Sequence, residues 1–416
     1  MKNRRLLWVL LILSGQLFLI FSGASYWGPH WNALLLLLSS LSLPLLYFNA
    51  PGQTEKERTV SNTSPLAGIL SGIFFFLLLI PLFNAGFHRF ANPSDYSDVM
   101  PQLQVQYERW VHGQFPYRPL EDISYHPYPV YMPLHWMPMG LAWLFHIDYR
   151  WSAYIVWGLV YGVWMYSVSR NKLTWYLQVA LVLLPLIPVY AFLLWGEGDL
   201  LITPEIMIAA YYMLLAMALQ KRKMAWIVVA LVCCLLSRYT FVFWLPLLAW
   251  IWWKEEGWKS GIMVFLGVSV AVLLLFVFPF LLKDHTILQK GLAYHNGCAI
   301  AEWEGPFYTA RHGINFAPFI KSITGTDCVY GVKVNRTIQA IALLLTLAIA
   351  LFHYSIRSSR WRKSDFLLVY LYIFMLVFFV FCPLTYRYYL VVFLSLACMV
   401  GYRYIMGTPL PESDKN

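Results

Sequence analysis

The amino-acid sequence predicts an all-α polytopic membrane protein, and three observations lead to this class. Of its 416 residues, 60% are hydrophobic and 12% are charged, whereas soluble domains carry about 25% charged residues. The mean hydropathy is +0.59. Apolar stretches of about 20 residues, the length of a spanning helix, recur along the whole chain. We therefore expect a single integral membrane domain, residues 1–416, with about 11 to 13 transmembrane helices.

The predicted spans follow from the apolar stretches alone. They are 6–24, 31–49, 66–87, 128–146, 151–168, 174–195, 200–219, 224–253, 261–282, 337–354, 366–382 and 388–404. The stretch 224–253 is too long for one span and too short for two ordinary ones. Because Arg238 lies at its middle, we interpret it as two short helices that meet at a turn. The N-terminal run resembles a signal peptide, but a retained first helix is the preferred interpretation.

Basic residues set the predicted orientation. Lys2, Arg4 and Arg5 place the N-terminus in the cytoplasm by the positive-inside rule, as 221–223 and 355–363 do for two later turns. The net charge of +10 follows from this bias and does not indicate a nucleic-acid partner. The predicted location is the cell membrane, with several passes.

Two long polar segments interrupt the apolar pattern, at residues 88–127 and 283–336. Counting spans from the cytoplasmic N-terminus places the first outside, and counting back from 355–363 places the second outside too. Both polar segments, and with them the functional site, are therefore expected on the extracytoplasmic face. Segment 169–172 conflicts with strict alternation, because its charge indicates the cytoplasm. A broken helix at Pro185 or Pro188 is one explanation. A disulfide between Cys298 and Cys328 is an open alternative in the second segment.

The first polar segment contains a predicted amphipathic helix at the membrane interface. Its apolar face carries Val99, Leu103, Tyr107, Trp110 and Val111 at helical spacing, and its polar face carries Gln102, Gln104, Glu108 and Arg109. Pro101 is tolerated only in a first helical turn. The helix should therefore begin near Asp98 and end near Gly113. A surface anchor is the alternative role for such a helix.

The order of motifs in this region resembles a known superfamily. Asp95 and Asp98 follow an early span, then come the interfacial helix, the turn Gly113-Gln-Phe-Pro-Tyr117 and the aromatic, proline-rich run Tyr125-His-Pro-Tyr-Pro-Val-Tyr-Met-Pro-Leu-His135. This pattern resembles the GT-C superfamily of polyprenyl-phosphate-dependent glycosyltransferases. The GT87 mannosyltransferase-like group is nearest, and the GT39-like pattern is second. The match covers about 93–145. It is looser at 195–199, 236–246 and 382–389.

The resemblance implies a GT-C-like bundle and an inverting transfer of a monosaccharide from a polyprenyl-phosphate-linked sugar. A base must take a proton from the acceptor hydroxyl, and a cation must stabilise the departing phosphate. Asp98 is the preferred base because its distance from Gly113 is nearer the family spacing, and Asp95 is the alternative. Either aspartate has a second interpretation as a helix N-cap.

Arg238 and Arg387 are the predicted ligands of the donor phosphate. An arginine inside the membrane needs an anionic partner, which a lipid phosphate can provide. For Arg238 the alternative is a structural ion pair with Glu197, Asp199 or Glu205. For Arg387 it is an ordinary interfacial arginine.

The remaining candidates are substrate-binding residues. They are His126, Glu302, Trp303, Glu304, Arg311 and His312. Aromatic rings, carboxylates and arginine are suited to sugars, although a solvated loop with interfacial aromatics explains the second segment equally. His126 and His135 flank the approach to the fourth predicted span, and a lone histidine is more often a packed residue. The His and Glu spacing matches no zinc pattern, so no metal or cofactor is predicted, with a divalent metal as the open alternative.

Three functions remain after this reading of the sequence. The first is the glycosyltransferase, whose acceptor is a lipid, a glycan or a protein and whose other partners are membrane lipids. The second is a transporter or flippase for lipid-linked glycan, which should contain internal pseudo-symmetry. No matching halves are found in the sequence. The third is a scaffold without catalysis, which leaves the acids and Arg238 without a role.

Overall fold

The computed structural model describes residues 2–50, 65–121, 127–171, 173–305, 308–357 and 361–407. Within these ranges the chain forms helices and no strand, so the predicted all-α class is confirmed. A helix satisfies its own backbone N–H and C=O groups, which is what a segment surrounded by lipid requires.

Nine helices form the first part of the chain. They are α1 (Lys2–Phe18), α2 (Ala24–Phe48), α3 (Leu66–Arg89), α4 (Val99–Val111), α5 (Pro133–Trp136), α6 (Gly140–Phe145), α7 (Arg150–Ser169), α8 (Trp175–Leu183) and α9 (Leu186–Trp195). The second part continues the bundle. Its helices are α10 (Glu205–Lys221), α11 (Met224–Leu235), α12 (Leu245–Glu256), α13 (Trp258–Val272), α14 (Ile287–Glu304), α15 (Tyr308–His312), α16 (Ala317–Thr324), α17 (Cys328–Arg357), α18 (Lys363–Val380) and α19 (Leu390–Met406).

Six helical stretches of the described chain are long and apolar enough to cross a membrane, or seven if the bent pair α8 and α9 is one span. This number is lower than the predicted 11 to 13, for three reasons. The first stretch, Lys2–Phe48, is counted once although it folds back on itself. The predicted spans 128–146 and 224–253 are broken into short helices. Helix α10 has only 17 residues, and α7, with 20 residues, is not among the stretches that are long and apolar enough.

The stretch Lys2–Phe48 is a helical hairpin. As one straight helix its 47 residues would extend about 70 Å, more than twice the thickness of the hydrocarbon core. Gly28 interrupts it with a φ of +72°, a value that glycine adopts without strain. The Gln16 amide on α1 donates to the Ser40 hydroxyl on α2 at 3.3 Å, which places the two helices side by side.

One end of the bundle, here called the basic end, carries the termini of several helices. The Arg5 guanidinium donates to the Tyr404 carbonyl at 3.0 Å, so the N-terminus of α1 and the C-terminus of α19 lie together. Arg403 forms an ion pair with Asp365 at 2.7 Å, which adds the start of α18. Asn171 donates to the Tyr402 hydroxyl at 3.2 Å. Segment 169–171 therefore lies at the same end as the N-terminus, as its charge indicates.

The predicted span 128–146 is wrong, and this error caused the conflict over segment 169–172. The region forms α5, a short 3₁₀ turn and α6, of four, three and six residues, too short to cross a core of about 30 Å. Helix α7 then begins beside the end of α3, since the Arg150 guanidinium donates to the Phe90 carbonyl at 2.8 Å. The chain thus returns to the end opposite the basic end. The 50° bend between α8 and α9 does not change the number of times the chain crosses from one end to the other.

Residues 224–253 confirm the predicted pair of short helices that meet at a turn. Helices α11 and α12 are 12 residues each, joined by the 3₁₀ stretch Tyr239–Trp244. Arg222 and Glu256 approach to 3.8 Å, so the pair enters and leaves at the basic end. The turn with Arg238 meets the α5 region, because the Leu134 N–H donates to the Leu236 carbonyl at 2.8 Å.

The helix predicted in 88–127 is confirmed, whereas 283–336 does not form the long loop that was predicted. Helix α4 begins after Asp98 and ends at Val111, and Gly113 follows with a φ of +71°. Val99, Leu103 and Tyr107 are buried as expected, whereas Trp110 is partly exposed. The region 283–336 is mostly helical, with α14, α15, α16 and the start of α17.

Candidate functional site

A cavity of about 310 Å³ lies where α4, the α5 region, the turn after α11, helix α14 and the segment before α19 meet. Twenty-one residues line it, and these separate parts of the chain contribute the following: Asp98, Val99, Gln102, Tyr117, Val130, Tyr131, Met132, His135, Ser237, Arg238, Ile287, Leu288, Gly291, Leu292, Tyr294, His295, Cys298, Leu384, Tyr386, Tyr388 and Tyr389. An apolar and aromatic lining with few polar groups is typical of a small-molecule site.

Asp98 is the predicted acid that reaches this cavity. It is half-buried, and its Oδ2 accepts a hydrogen bond from Gln102 Nε2 at 2.6 Å. The N-cap interpretation does not hold for Asp98, which makes no side-chain cap bond, whereas the Ser97 hydroxyl accepts the Val99 N–H at 3.2 Å. Asp95 is exposed on the preceding 3₁₀ turn and does not line the cavity. The two acids therefore differ in location: Asp98 lines the cavity and Asp95 lies outside it.

Arg238 lies in the same cavity, on the turn between α11 and α12. Its guanidinium forms an ion pair with Glu205 at the start of α10, and the side chains are 15% and 1% exposed. The guanidinium also lies 4.2 Å from the ring centroid of Tyr389, a cation–π distance. Of the three ion-pair partners considered for Arg238, the structure selects Glu205. The Arg238 guanidinium contacts only one carboxylate and one ring and lies beside a cavity, so it can also bind an anionic ligand.

Arg387, the second predicted ligand of the donor phosphate, is not among the residues that line the cavity with Arg238. Its side chain is 3% exposed and forms ion pairs with Glu197 at 2.9 Å and Asp199 at 3.2 Å. The 3₁₀ turn Arg387–Tyr389 explains the difference, because successive side chains of such a turn point in different directions. Tyr388 and Tyr389 therefore reach the cavity while Arg387 faces the segment after α9.

The predicted group in 302–312 does not line the cavity either. Trp303 is fully buried, and its Nε1 donates to the Pro383 carbonyl at 2.9 Å, so it has a packing role. Glu304 and Arg311 are exposed, and Glu302 and His312 are half-buried. The same helix, α14, contributes Tyr294, His295 and Cys298 from its middle instead. His126 lies outside the described residues.

Several lining residues were not predicted as site residues. Gln102 is 1% exposed although helical periodicity places it on the polar face of α4. It lies in the cavity wall, where its amide donates to Asp98. Tyr131, Tyr386 and Tyr389 place aromatic rings around Arg238. The tyrosine-rich run 386–389 was the available signal for this cluster.

The structure brings no metal-binding group together. Among the described residues, no three His, Cys, Asp or Glu side chains are close enough to hold a metal ion. All six cysteines are free thiols, so the alternative of a Cys298–Cys328 disulfide is not found. Cys298 is half-buried in the cavity lining, and burial raises the pKa of its thiol.

Asp199 is expected to give the protein a pH-dependent stability. Burial raises the pKa of its carboxyl to about 7, against the lowering effect of the Arg387 guanidinium, and Glu197 raises it further. The folded protein then holds this proton more tightly than the unfolded chain. The contribution of Asp199 to the free energy of unfolding should therefore fall as pH rises from about 4 to about 7. Burial lowers the pKa of nearby His312 to about 4, so His312 contributes a change of the opposite sign between about pH 4 and 6.5. Only a comparison with a variant of Asp199 isolates the contribution of this carboxyl.

The test compares Asp199→Asn with wild type by thermal unfolding in detergent near pH 5 and pH 8. The variant should gain stability relative to wild type at the higher pH, because wild type alone must bury an ionised carboxylate there. Glu197→Gln is the matched control, since Glu197 is largely exposed and should leave the slope in place. A variant less stable than wild type at pH 8 only would show that the ion pair with Arg387 outweighs burial.

The fold and the cavity define the class of this chain: an all-α, polytopic membrane protein with a tyrosine-rich internal cavity that holds an acid and an arginine. No protein-family model matches the chain, and no curated protein or solved structure matches it.

Proposed function

We propose that the protein is an inverting membrane glycosyltransferase of the GT-C type, which moves a monosaccharide from a polyprenyl-phosphate donor to a lipid, glycan or protein acceptor. The observation that supports it best is the meeting of Asp98 and Arg238 in one cavity of about 310 Å³. These two residues were selected from the sequence for opposite roles in one reaction. Two unrelated structural charges need not share a cavity.

The reaction can be written with these two groups. The acceptor hydroxyl oxygen attacks the anomeric carbon, the bond from that carbon to the phosphate oxygen breaks, and its electron pair stays on the phosphate. Asp98 accepts the proton of the acceptor hydroxyl. Arg238 stabilises the charge that develops on the departing phosphate. Attack from the face opposite the phosphate inverts the configuration at the anomeric carbon.

An apolar groove gives the polyprenyl chain a place to lie. Its volume is about 1160 Å³, and it runs between α11, α12 and α13. Leu235 and Val242 line this groove, while Ser237 and Arg238, which lie between them in the sequence, line the cavity. A polyprenyl chain attached to a phosphate at Arg238 can therefore lie against the apolar side chains of this groove.

The distribution of charge supports a cytoplasmic N-terminus and an extracytoplasmic site. Lys2, Arg5 and Lys363 belong to the basic end, while α4 and the cavity lie toward the opposite end. Basic residues concentrate on the cytoplasmic side of membrane proteins. The protein would thus work at the outer leaflet of the cell membrane.

The test is the consumption of undecaprenyl-phosphate sugars by the purified protein in liposomes. Undecaprenyl phosphate linked to labelled mannose, glucose or galactose is supplied with a membrane extract as the source of acceptors. At least one donor should release undecaprenyl phosphate and transfer its label. Movement of intact donor between leaflets without cleavage would instead indicate the transporter. The proposal is contradicted if the protein cleaves none of the three donors.

A further inference from the structure

His135 is one of the polar side chains of the cavity that the reaction above does not use. It lies on α5, is 1% exposed and is among the residues that line the cavity. Its Nδ1 is 3.1 Å from the Ser237 carbonyl oxygen. A carbonyl oxygen only accepts hydrogen bonds, so Nδ1 must carry the proton and donate it. The tautomer of the imidazole is fixed by this contact.

The ring is neutral. Burial, followed by the positive charge of Arg238, lowers the pKa of His135 to about 3, against the raising effect of the contact with the Ser237 carbonyl. With the proton on Nδ1, the other nitrogen, Nε2, has a lone pair and no hydrogen. Nε2 can therefore only accept a hydrogen bond.

Within the described part of the chain, Nε2 of His135 has no hydrogen-bond partner, although it is buried. Buried polar atoms of proteins nearly always have a partner in the protein, in a bound water or in a ligand. The ring cannot turn away easily, because it is held by Ser237 on one side and contacts the Tyr131 ring at a centroid distance of 4.8 Å. The acceptor is thus held in place beside the cavity.

The position of His135 relative to Arg238 points to the group it would meet. His135 is hydrogen-bonded to the carbonyl of Ser237, the residue before Arg238. The N–H of its neighbour Leu134 donates to the Leu236 carbonyl. His135 and Arg238 are therefore carried by one rigid unit. The donor sugar is attached to the donor phosphate. A phosphate bound at Arg238 would therefore place the sugar near His135.

We propose that Nε2 of His135 accepts a hydrogen bond from a hydroxyl of the donor sugar, which makes His135 a residue that recognises the sugar. This inference rests on the proposed function. A neutral acceptor selects a hydroxyl donor and adds no charge beside the phosphate, so His135 contributes to recognition of the sugar and not to binding of the lipid phosphate. The expected preference is for a donor that has this hydroxyl over one that lacks it.

Binding can be measured without transfer by using Cys298, the cavity thiol, as a reporter. A bound lipid should slow its labelling by a maleimide, and Cys298→Ala identifies the signal. Undecaprenyl phosphate and the tightest-binding of its mannose, glucose and galactose derivatives are the two probes. In wild type, the sugar derivative should protect at about tenfold lower concentration than undecaprenyl phosphate, the effect of one hydrogen bond.

His135→Phe keeps an aromatic ring and removes the acceptor, so both probes should then protect equally. His135→Gln is the matched control, since its amide oxygen can reach the place of Nε2 and should restore part of the difference. Undecaprenyl phosphate should protect each variant as well as it protects wild type, which also shows that the cavity is folded. Deoxy-sugar donors on wild type give a second measurement that needs no variant: removal of one hydroxyl should abolish the advantage.

The outcomes separate this inference from the proposed function. If neither probe protects wild type, the cavity does not bind a polyprenyl phosphate and the proposed function fails. If both probes protect wild type but His135→Phe keeps the tenfold advantage, the role of His135 is overturned while the function stands. If no deoxy donor loses the advantage, the role of His135 is overturned as well.

Discussion

Asp98→Asn is expected to lower the rate of sugar transfer by roughly 10²- to 10⁴-fold, the usual contribution of a general base. The amide has nearly the shape of the carboxylate and still reaches Gln102, whose Nε2 lies 2.6 Å from Asp98 Oδ2, so the fold should be retained. What is lost is the ability to accept the proton of the acceptor hydroxyl. The measurement is the initial rate of donor consumption in liposomes, with binding followed by protection of Cys298.

Asp95→Asn is the matched control for this prediction. Asp95 is exposed, precedes α4 by a short turn and does not line the cavity. Its replacement should change the rate less than twofold, which is within the usual effect of a surface substitution. The assignment of the base is reversed if Asp95→Asn loses activity and Asp98→Asn retains it, and is lost if both variants work at the wild-type rate.

Arg238→Leu is expected to abolish phosphate binding and to destabilise the protein as well. Glu205 is 1% exposed and pairs with Arg238, so the substitution leaves a buried carboxylate without its cation. Removing one partner of a buried pair costs roughly 3 to 5 kcal/mol. Undecaprenyl phosphate should no longer protect Cys298, and the temperature of unfolding in detergent should fall.

A double variant separates these two effects. Arg238→Leu with Glu205→Gln removes both charges, and most of the lost stability should return, because pairs of this kind are often no more stable than neutral replacements. Phosphate binding should stay absent. If the double variant regains protection of Cys298 by undecaprenyl phosphate, Arg238 has only a structural role and the proposed mechanism is wrong.

The sequence predicts those parts of the fold whose signals are local. Helix α4 has apolar residues at helical spacing, Pro101 near its start and Gly113 after its end, so its limits agree with the structure to within a residue or two. The turn around Arg238 could also be predicted, since a charge at the middle of a long apolar stretch is costly unless the helix breaks there. These features depend on neighbouring residues and not on the rest of the fold.

Other parts depend on contacts between distant residues. The run 128–146 has the hydropathy of a span, but its prolines break it into pieces, and hydropathy does not distinguish an apolar residue against protein from one against lipid. Gln102 shows the same limit at a single residue. Periodicity predicts only that it lies opposite Leu103, and much of the cavity beside it is formed by residues more than 100 positions later in the chain, from Ser237 to Tyr389.

The candidate site shows the same division. Asp98 and Arg238 have rare local settings, an acid at the start of an interfacial helix and a cation inside an apolar stretch, and they share the cavity. Arg387 has an equally conspicuous setting, but the direction of its side chain is decided by a 3₁₀ turn and by Asp199 and Glu197. Residue type alone could not predict that direction.

The hydrogen bond of 2.8 Å between the Leu134 N–H and the Leu236 carbonyl has a consequence for how the protein is made. It joins two interrupted helices that approach from opposite ends of the bundle, and each supplies a backbone group that the other would otherwise bury without a partner. During synthesis, the α5 region leaves the ribosome long before its partner exists. The lining of the cavity is complete only after the segment before α19 has been made, because Tyr386, Tyr388 and Tyr389 belong to it. Products truncated before residue 384 should therefore insert without forming this cavity.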